Sequence, residues 1–182
     1  MIKKLLLITL FYLCFAQVLR AKPPRLAGFQ KESANKRFVA KVYVNDNKGD
    51  EQLKHIESKF VVAVYEQESN RMLWRCGYKH TGYADGLLSD DGSTFVTICY
   101  RYSDVRPIVF VYQNGELKKK IFGKELPLNK RDMVPTSDGL IWRSVEPGAS
   151  VSYNRKGSKF LLNINTVDGQ IKVDLNTFQI TK

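Results

Sequence analysis

Leu87 to Phe122 reads LLSDDGSTFVTICYRYSDVRPIVFVYQNGELKKKIF, and this stretch decides the fold class. Ser89-Asp90-Asp91-Gly92 is turn chemistry: Asp and Ser side chains bond nearby backbone amides, and glycine takes positive φ without a Cβ clash. Phe95-Val96-Thr97-Ile98-Cys99-Tyr100 follows, β-branched, aromatic or cysteine throughout, a composition that suits a pleated surface. Ile108 to Tyr112, IVFVY, is apolar on both parities, as in a strand covered on both faces. Asn114-Gly115 is the strongest short hairpin signal, and Leu117 to Phe122 alternates as a weaker strand. The predicted unit is a three-stranded antiparallel piece with one tight turn and one longer loop, Arg101 to Pro107.

On the N-terminal side, Arg37 to Val44, Lys59 to Glu66 and Arg71 to Cys76 read as strands. Asn45 to Glu57 is a charged loop in which Glu51 to His55 makes one helical turn at most. Gly77 to Gly86, GYKHTGYADG, reads as a loop. On the C-terminal side, Gly123 to Ser137 is polar, with room for one helical turn near Glu125. A short strand LIWRSV starts at Leu140, Pro147-Gly148 turns, and Val151 to Asn154 pairs locally. Ser158 to Asn165, Ile171 to Leu175 and Phe178 to Thr181 then read as strands joined by turns at Asp168-Gly169 and Asn176-Thr177.

No segment supports a helix of ten residues. The expected fold is mostly β: antiparallel β-hairpins forming a curved sheet, a sandwich or a small propeller-like assembly. Ser58-Lys59-Phe60, Ser93-Thr94-Phe95 and Ser158-Lys159-Phe160 each open an apolar strand, a weak repeat in the manner of propeller blades. Their spacings, 35 and 65 residues, are irregular. At roughly 40 residues a blade, the mature chain would barely make four.

Met1 to Ala21, MIKKLLLITLFYLCFAQVLRA, has a basic start at Lys3 and Lys4, an apolar core, and a cleavage site at Leu19-Arg20-Ala21. It reads as a signal peptide. Its 15-residue apolar run, Leu5 to Leu19 with Gln17 inside it, is short of the roughly 20 residues that a membrane span requires. The domain plan is therefore signal peptide over 1–21, a flexible lead-in over 22–36 containing Pro23-Pro24, and a single β domain over 37–182. The expected location is secreted or periplasmic, with no membrane span after cleavage.

The full chain carries +11; the signal removes Lys3, Lys4 and Arg20 and no acid, leaving 26 basic against 18 acidic residues, +8. A basic surface suits an acidic partner, and export excludes nucleic acid. The one basic run, Lys118-Lys119-Lys120, is split over two faces by strand alternation. After cleavage two cysteines remain, Cys76 and Cys99, which read either as a disulfide or as two buried thiols. With His55 and His80 isolated, no metal-ligand spacing exists.

No hydrolase elbow, metalloprotease, P-loop or dinucleotide motif occurs. Asp90-Asp91 belongs to its turn rather than to an acid–base pair. The residues singled out for binding are Tyr78, Lys79, His80 and Tyr83 before the Ser-Asp-Asp-Gly turn, and Tyr100, Arg101, Tyr102 and Arg106 after the following strand. Aromatic and basic groups of this kind form a surface for a polyanion, a sugar or a protein. Strand Phe95 to Cys99 sends the two sets to opposite ends unless a bulge or a return strand intervenes. Trp74 and Trp142 sit in apolar runs and read as core. The functional expectation is a non-enzymatic exported β-domain, without cofactor or metal. It would bind an unidentified protein or acidic polymer at the cell envelope or serve there as an accessory protein. The alternative is a binder of small molecules or acidic glycans, and less readily a hydrolase, working through the Tyr/Arg/His loops.

Ser89-Asp90-Asp91-Gly92, Phe95-Val96-Thr97, Val109-Phe110-Val111-Tyr112, Gly115 and Leu117 together resemble the shared core of an uncharacterised family of exported bacterial β-rich proteins. That core reads approximately LVSDDG, two residues, VVT, then VVVIY, a few residues, and GKLV. Leu73-Trp74-Arg75 and Ile141-Trp142 fit the same layout. The resemblance spans most of Arg37 to Ile180, with the distinctive part in the central third. It implies a β-rich, propeller-like fold and no assigned activity. Family members often carry Asp-x-Trp after the VVT strand; here Ile98-Cys99-Tyr100-Arg101-Tyr102 stands there instead.

Overall fold

The structure, a computed structural model, describes residues 28–45, 58–79, 84–144, 151–156 and 159–182, with only the backbone at 84, 151–156 and 159. The assigned signal peptide, the helical turn placed at Glu51 to His55 and the Pro147-Gly148 turn lie outside the described residues. Three four-stranded antiparallel sheets follow one another along the chain, each with its strands side by side in chain order.

The first sheet comprises β1 (Phe29–Glu32), β2 (Phe38–Val44), β3 (Phe60–Glu66) and β4 (Met72–Tyr78). The second comprises β5 (Ala84–Leu88), β6 (Thr94–Cys99), β7 (Pro107–Gln113) and β8 (Glu116–Phe122). A two-stranded ribbon of β9 (Val134–Thr136) and β10 (Gly139–Ile141) precedes the third sheet. That sheet is built from β11 (Val151–Lys156), β12 (Lys159–Thr166), β13 (Gly169–Asp174) and β14 (Ile180–Thr181). Among the described residues the helical content is two single 3-10 turns, Gly123–Glu125 and Lys130–Asp132. The mostly-β, antiparallel reading therefore holds.

Three strands depart from the sequence reading. Val134–Thr136 falls inside Gly123 to Ser137, read as polar with one helical turn, yet pairs with β10. Phe29–Glu32 falls inside the segment read as a flexible lead-in over 22–36, yet pairs with β2 from Phe29–Val42 to Glu32–Val39. Ala84–Leu88 falls largely inside the segment read as the loop Gly77 to Gly86, yet pairs with β6 from Ala84–Cys99 to Leu88–Phe95. The central unit is thus four-stranded rather than three-stranded. The weak repeat is out of phase as well: Phe60 opens a third strand, whereas Thr94 and Lys159 open second strands.

The second sheet lies at the heart of the core. Every residue of β6 is buried, as are Ile108 to Tyr112 of β7. Their burial, at about 1.5–3 kcal/mol per large apolar side chain, offsets the entropy of ordering the chain. An aromatic cluster joins the first two sheets: Tyr78 has its ring centroid 6.5 Å from Phe95 and 6.1 Å from Tyr112, and Phe29 lies 6.3 Å from Tyr78. Each tryptophan fills core and ties its indole N–H to backbone of the second sheet's strands and turns. Trp74 donates to the Gly92 carbonyl and Trp142 to the Cys99 carbonyl, both at 2.8 Å. The third sheet contributes Leu162, Ile164, Ile171 and Val173, all fully buried.

The chain enters β2 and β6 through the same turn. Ser33 N–H donates to the Phe38 carbonyl as Ser89 N–H donates to that of Thr94, both at 2.9 Å. Lys36 N–H donates to the Ser33 carbonyl as Gly92 N–H donates to that of Ser89, both at 3.0 Å. Ser33 Oγ accepts from Phe38 N–H at 3.1 Å, and Ser89 Oγ from Thr94 N–H at 2.9 Å. Both hydroxyls donate to the residue two positions on, Asn35 or Asp91. The two turns also dock together: Asp90 Oδ1 accepts from Asn35 N–H at 2.8 Å, and Asn35 Nδ2 donates to the Asp90 carbonyl at 2.7 Å.

Candidate functional site

Antiparallel pairing of β5 with β6 sets the geometry of the site. Ala84, where the 79–83 connection ends, stands opposite Cys99, where the 100–106 connection begins. The return strand that sequence reasoning required is β5, which sets Ala84 beside the start of the 100–106 loop. The loop over 100–106 is held on two sides. On one, Tyr102 N–H donates to the Leu140 carbonyl at 2.8 Å, and Arg101 pairs with Ile141 as an isolated bridge. On the other, Gly123 N–H donates to the Ser103 carbonyl at 3.0 Å. A side chain at Gly123 would place its Cβ 2.5 Å from the Tyr102 ring and 2.6 Å from that carbonyl, so glycine is what lets these loops close on each other.

The singled-out residues fall into three groups. Tyr78 is not at the surface: it is buried in the aromatic cluster, where burial first and then Tyr112 push its phenol well above the ordinary tyrosine range. Lys79 is exposed, and its backbone N–H donates to the Tyr112 hydroxyl at 3.2 Å. His80 and Tyr83 lie outside the described residues. Arg101, Tyr102 and Arg106 do gather at the loop end. Arg101 meets Asp138 at 2.7 Å. Tyr102 O–H donates to Asp104 Oδ1 at 2.6 Å, and Lys130 Nζ sits 5.2 Å above the Tyr102 ring while pairing with Asp104. Burial, then the bond to Asp104, raises the Tyr102 phenol to about 12. The hydrogen bonds from Lys130 and Tyr102 hold the Asp104 carboxyl below its usual range. Around this network Arg106, Lys124 and Arg131 are exposed and form no ion pair among the described residues.

Tyr100 belongs to a second, interior cluster. The Arg143 guanidinium lies 4.4 Å from the centre of the Tyr100 ring, and its Nη1 donates to the Ile98 carbonyl at 3.2 Å. Asp85 lies 3.8 Å from Arg143 Nη2, beyond hydrogen-bonding distance, and 2.8 Å from Lys31 Nζ. Strands β1 and β5 and the segments after β6 and β10 thus bring Lys31, Asp85, Tyr100 and Arg143 together. Burial pushes the Arg143 pKa down, against the opposing pull of Tyr100 and Asp85.

No protein-family model matches this chain, and no curated protein matches it in sequence.

Cys76 and Cys99 stand on strands of different sheets as thiols rather than a bridge, and burial raises the Cys76 thiol to about 12. The Lys118-Lys119-Lys120 run divides as alternation requires. Lys118 and Lys120 are exposed, and Lys119 turns the other way, 3.6 Å from Glu125. Such lysines on an edge strand discourage pairing with another chain. Among the described residues no group of three His, Cys, Asp or Glu could hold a metal ion. No helix of the described residues is long and apolar enough to cross a membrane.

Sequence reasoning missed Lys124, Lys130, Asp85 and Arg143. The first two carried a signal, the basic and polar character of Gly123 to Ser137, but their approach to Tyr102 depends on the Gly123–Ser103 contact. Arg143 stood within the apolar run LIWRSV, and nothing local told whether a cation there faces water or the interior.

Proposed function

We propose that this chain is an exported, non-enzymatic β-domain that binds an acidic polymer of the cell envelope through the loop end of its second sheet. One observation carries the reading: Tyr102, bonded to Asp104 and covered by Lys130, lies where the 100–106 loop is tied at Gly123 to the segment that follows β8, and these two stretches carry exposed Arg106, Lys124 and Arg131. Cations around a fixed aromatic face suit an anionic chain, which gains from charge and from ring contact together. The signal-peptide character of Met1 to Ala21 and the +8 balance after it support an envelope setting. Successive four-stranded sheets in chain order support a propeller-like arrangement.

The test is retention on a heparin column, heparin serving as a polyanion probe, with an uncharged dextran matrix as control. R106Q/K124Q/R131Q is expected to elute at markedly lower salt than the parent, while K118Q/K120Q on edge strand β8 shifts elution only slightly. Equal shifts per charge removed would reduce the interaction to bulk charge and contradict the proposal. Retention of an envelope protein but of no polyanion would assign this surface to a protein partner instead.

A further inference from the structure

Arg143 is completely buried, yet its Nε and Nη2 have no hydrogen-bond partner among the described residues. Unsatisfied buried donors on a cation are costly. The two atoms form one edge of the guanidinium, the edge that receives two oxygens of a carboxylate or phosphate side by side. The plane of the group is already fixed, by Tyr100 beneath it at 4.4 Å and by the Ile98 carbonyl on Nη1. Side-chain exposure falls from 42% at Lys31 through 23% at Asp85 to 0% at Arg143. These residues therefore mark a line from the surface inward, along the seam where edge strands β1 and β5 lie side by side.

We propose that this edge of Arg143 is the binding site for a small oxyanion, a carboxylate or a phosphate, admitted past Lys31 and Asp85. Two oxygens of the ligand accept from Nε and Nη2, and Lys31 lies next along the path. Asp85 is the selectivity element. Its carboxylate faces the same Nη2 and repels an incoming anion, so only a ligand making both hydrogen bonds displaces it. Among the described residues Asp85 is the one carboxylate paired with the two cations Lys31 and Arg143, a formal +1 that one anion neutralises.

The site shares no charged residue with the loop surface, and its test reads a different signal. The Nε–H resonance of Arg143 is followed by NMR in the mature chain during titration with sodium phosphate or sodium acetate, against sodium chloride at equal ionic strength. A saturable shift with phosphate or acetate, absent with chloride, is expected, and the arm that responds names the oxyanion. D85N removes the competing charge and is expected to tighten binding severalfold. R143K keeps the charge without the fork and is expected to abolish an oxyanion-dependent rise in melting temperature. Should R143K fail to fold, the D85N titration still decides. If chloride moves the resonance as far as the oxyanions, or D85N weakens binding, the proposal is overturned. R106Q/K124Q/R131Q is expected to leave this titration unchanged, which separates the site from the polymer-binding surface.

Discussion

The turn before β2 and the turn before β6 share one hydrogen-bond plan and differ in what encodes it. In the second, Gly92 takes the left-handed position at φ 70°; in the first, Lys36 takes it at φ 58°. Asp91 accepts the bonds in one, and Asn35 in the other. The difference lies in the packing. Gly92 is wedged against Phe38 and Leu73, where a Cβ would sit 2.9 Å from both side chains, whereas Lys36 is exposed. A left-handed residue has to be glycine where neighbours close over it; at the surface the backbone strain alone is tolerable.

The sharpest way to break this comparison is G92A. Both the positive φ and the clash apply, so a loss of about 2–4 kcal/mol is expected in urea denaturation. A loss below that of an ordinary surface substitution would mean that the packed turn is not formed. N35A removes the first turn's acceptor and its bond to the Asp90 carbonyl, and should cost about 1–2 kcal/mol. D90A removes the other docking bond, from Asn35 N–H to the Asp90 carboxylate, so the double mutant with D90A should lose more stability than either single change.

D91N converts the second turn's acceptor to that of the first. Burial opposes ionisation of Asp91, but hydrogen bonds from Ser89 and Ser93 outweigh it and depress the carboxyl. A depressed carboxyl contributes stability that is complete above the ordinary aspartate value of about 3.9 and is lost as pH falls below it, through the folded value. D91N should therefore flatten the acid limb of the stability profile while costing about 1 kcal/mol or less near neutrality. An unchanged acid limb would count against the assigned bonds. The smallest effect is K36G, which relieves left-handed strain at an exposed position and should stabilise by about 0.5 kcal/mol. Destabilisation would indicate that Lys36 does more than turn the chain.

The same pair of turns explains what the sequence could say. Ser-Asp-Asp-Gly announces itself through glycine and two aspartates, whereas Ser33-Ala34-Asn35-Lys36 builds the same object without a glycine, so β1 went unread beside it. Strand β5 was hidden for a different reason. Ala84-Asp85-Gly86 has poor strand propensity, and its extended state comes from pairing with a fully buried β6. Gly86 there leaves room for the Phe95 ring, which a Cβ would approach to 2.7 Å. The long apolar runs, β3, β6, β7 and β12, were legible because their composition alone excludes other states. Of the loop surface, Arg101, Tyr102 and Arg106 were legible as residue types. Tyr78 was not, since its place in the aromatic cluster is set by how two sheets meet.

The account rests on β5 pairing with β6, which completes the second sheet and sets Ala84 beside the start of the 100–106 loop. Cross-strand amide and Hα nuclear Overhauser effects along β5 and β6 test this most directly. The register described here predicts contacts running from Ala84 with Cys99 to Leu88 with Phe95. Absence of those contacts, with fast amide exchange through Ala84 to Leu88, would remove β5 from the second sheet and contradict the account.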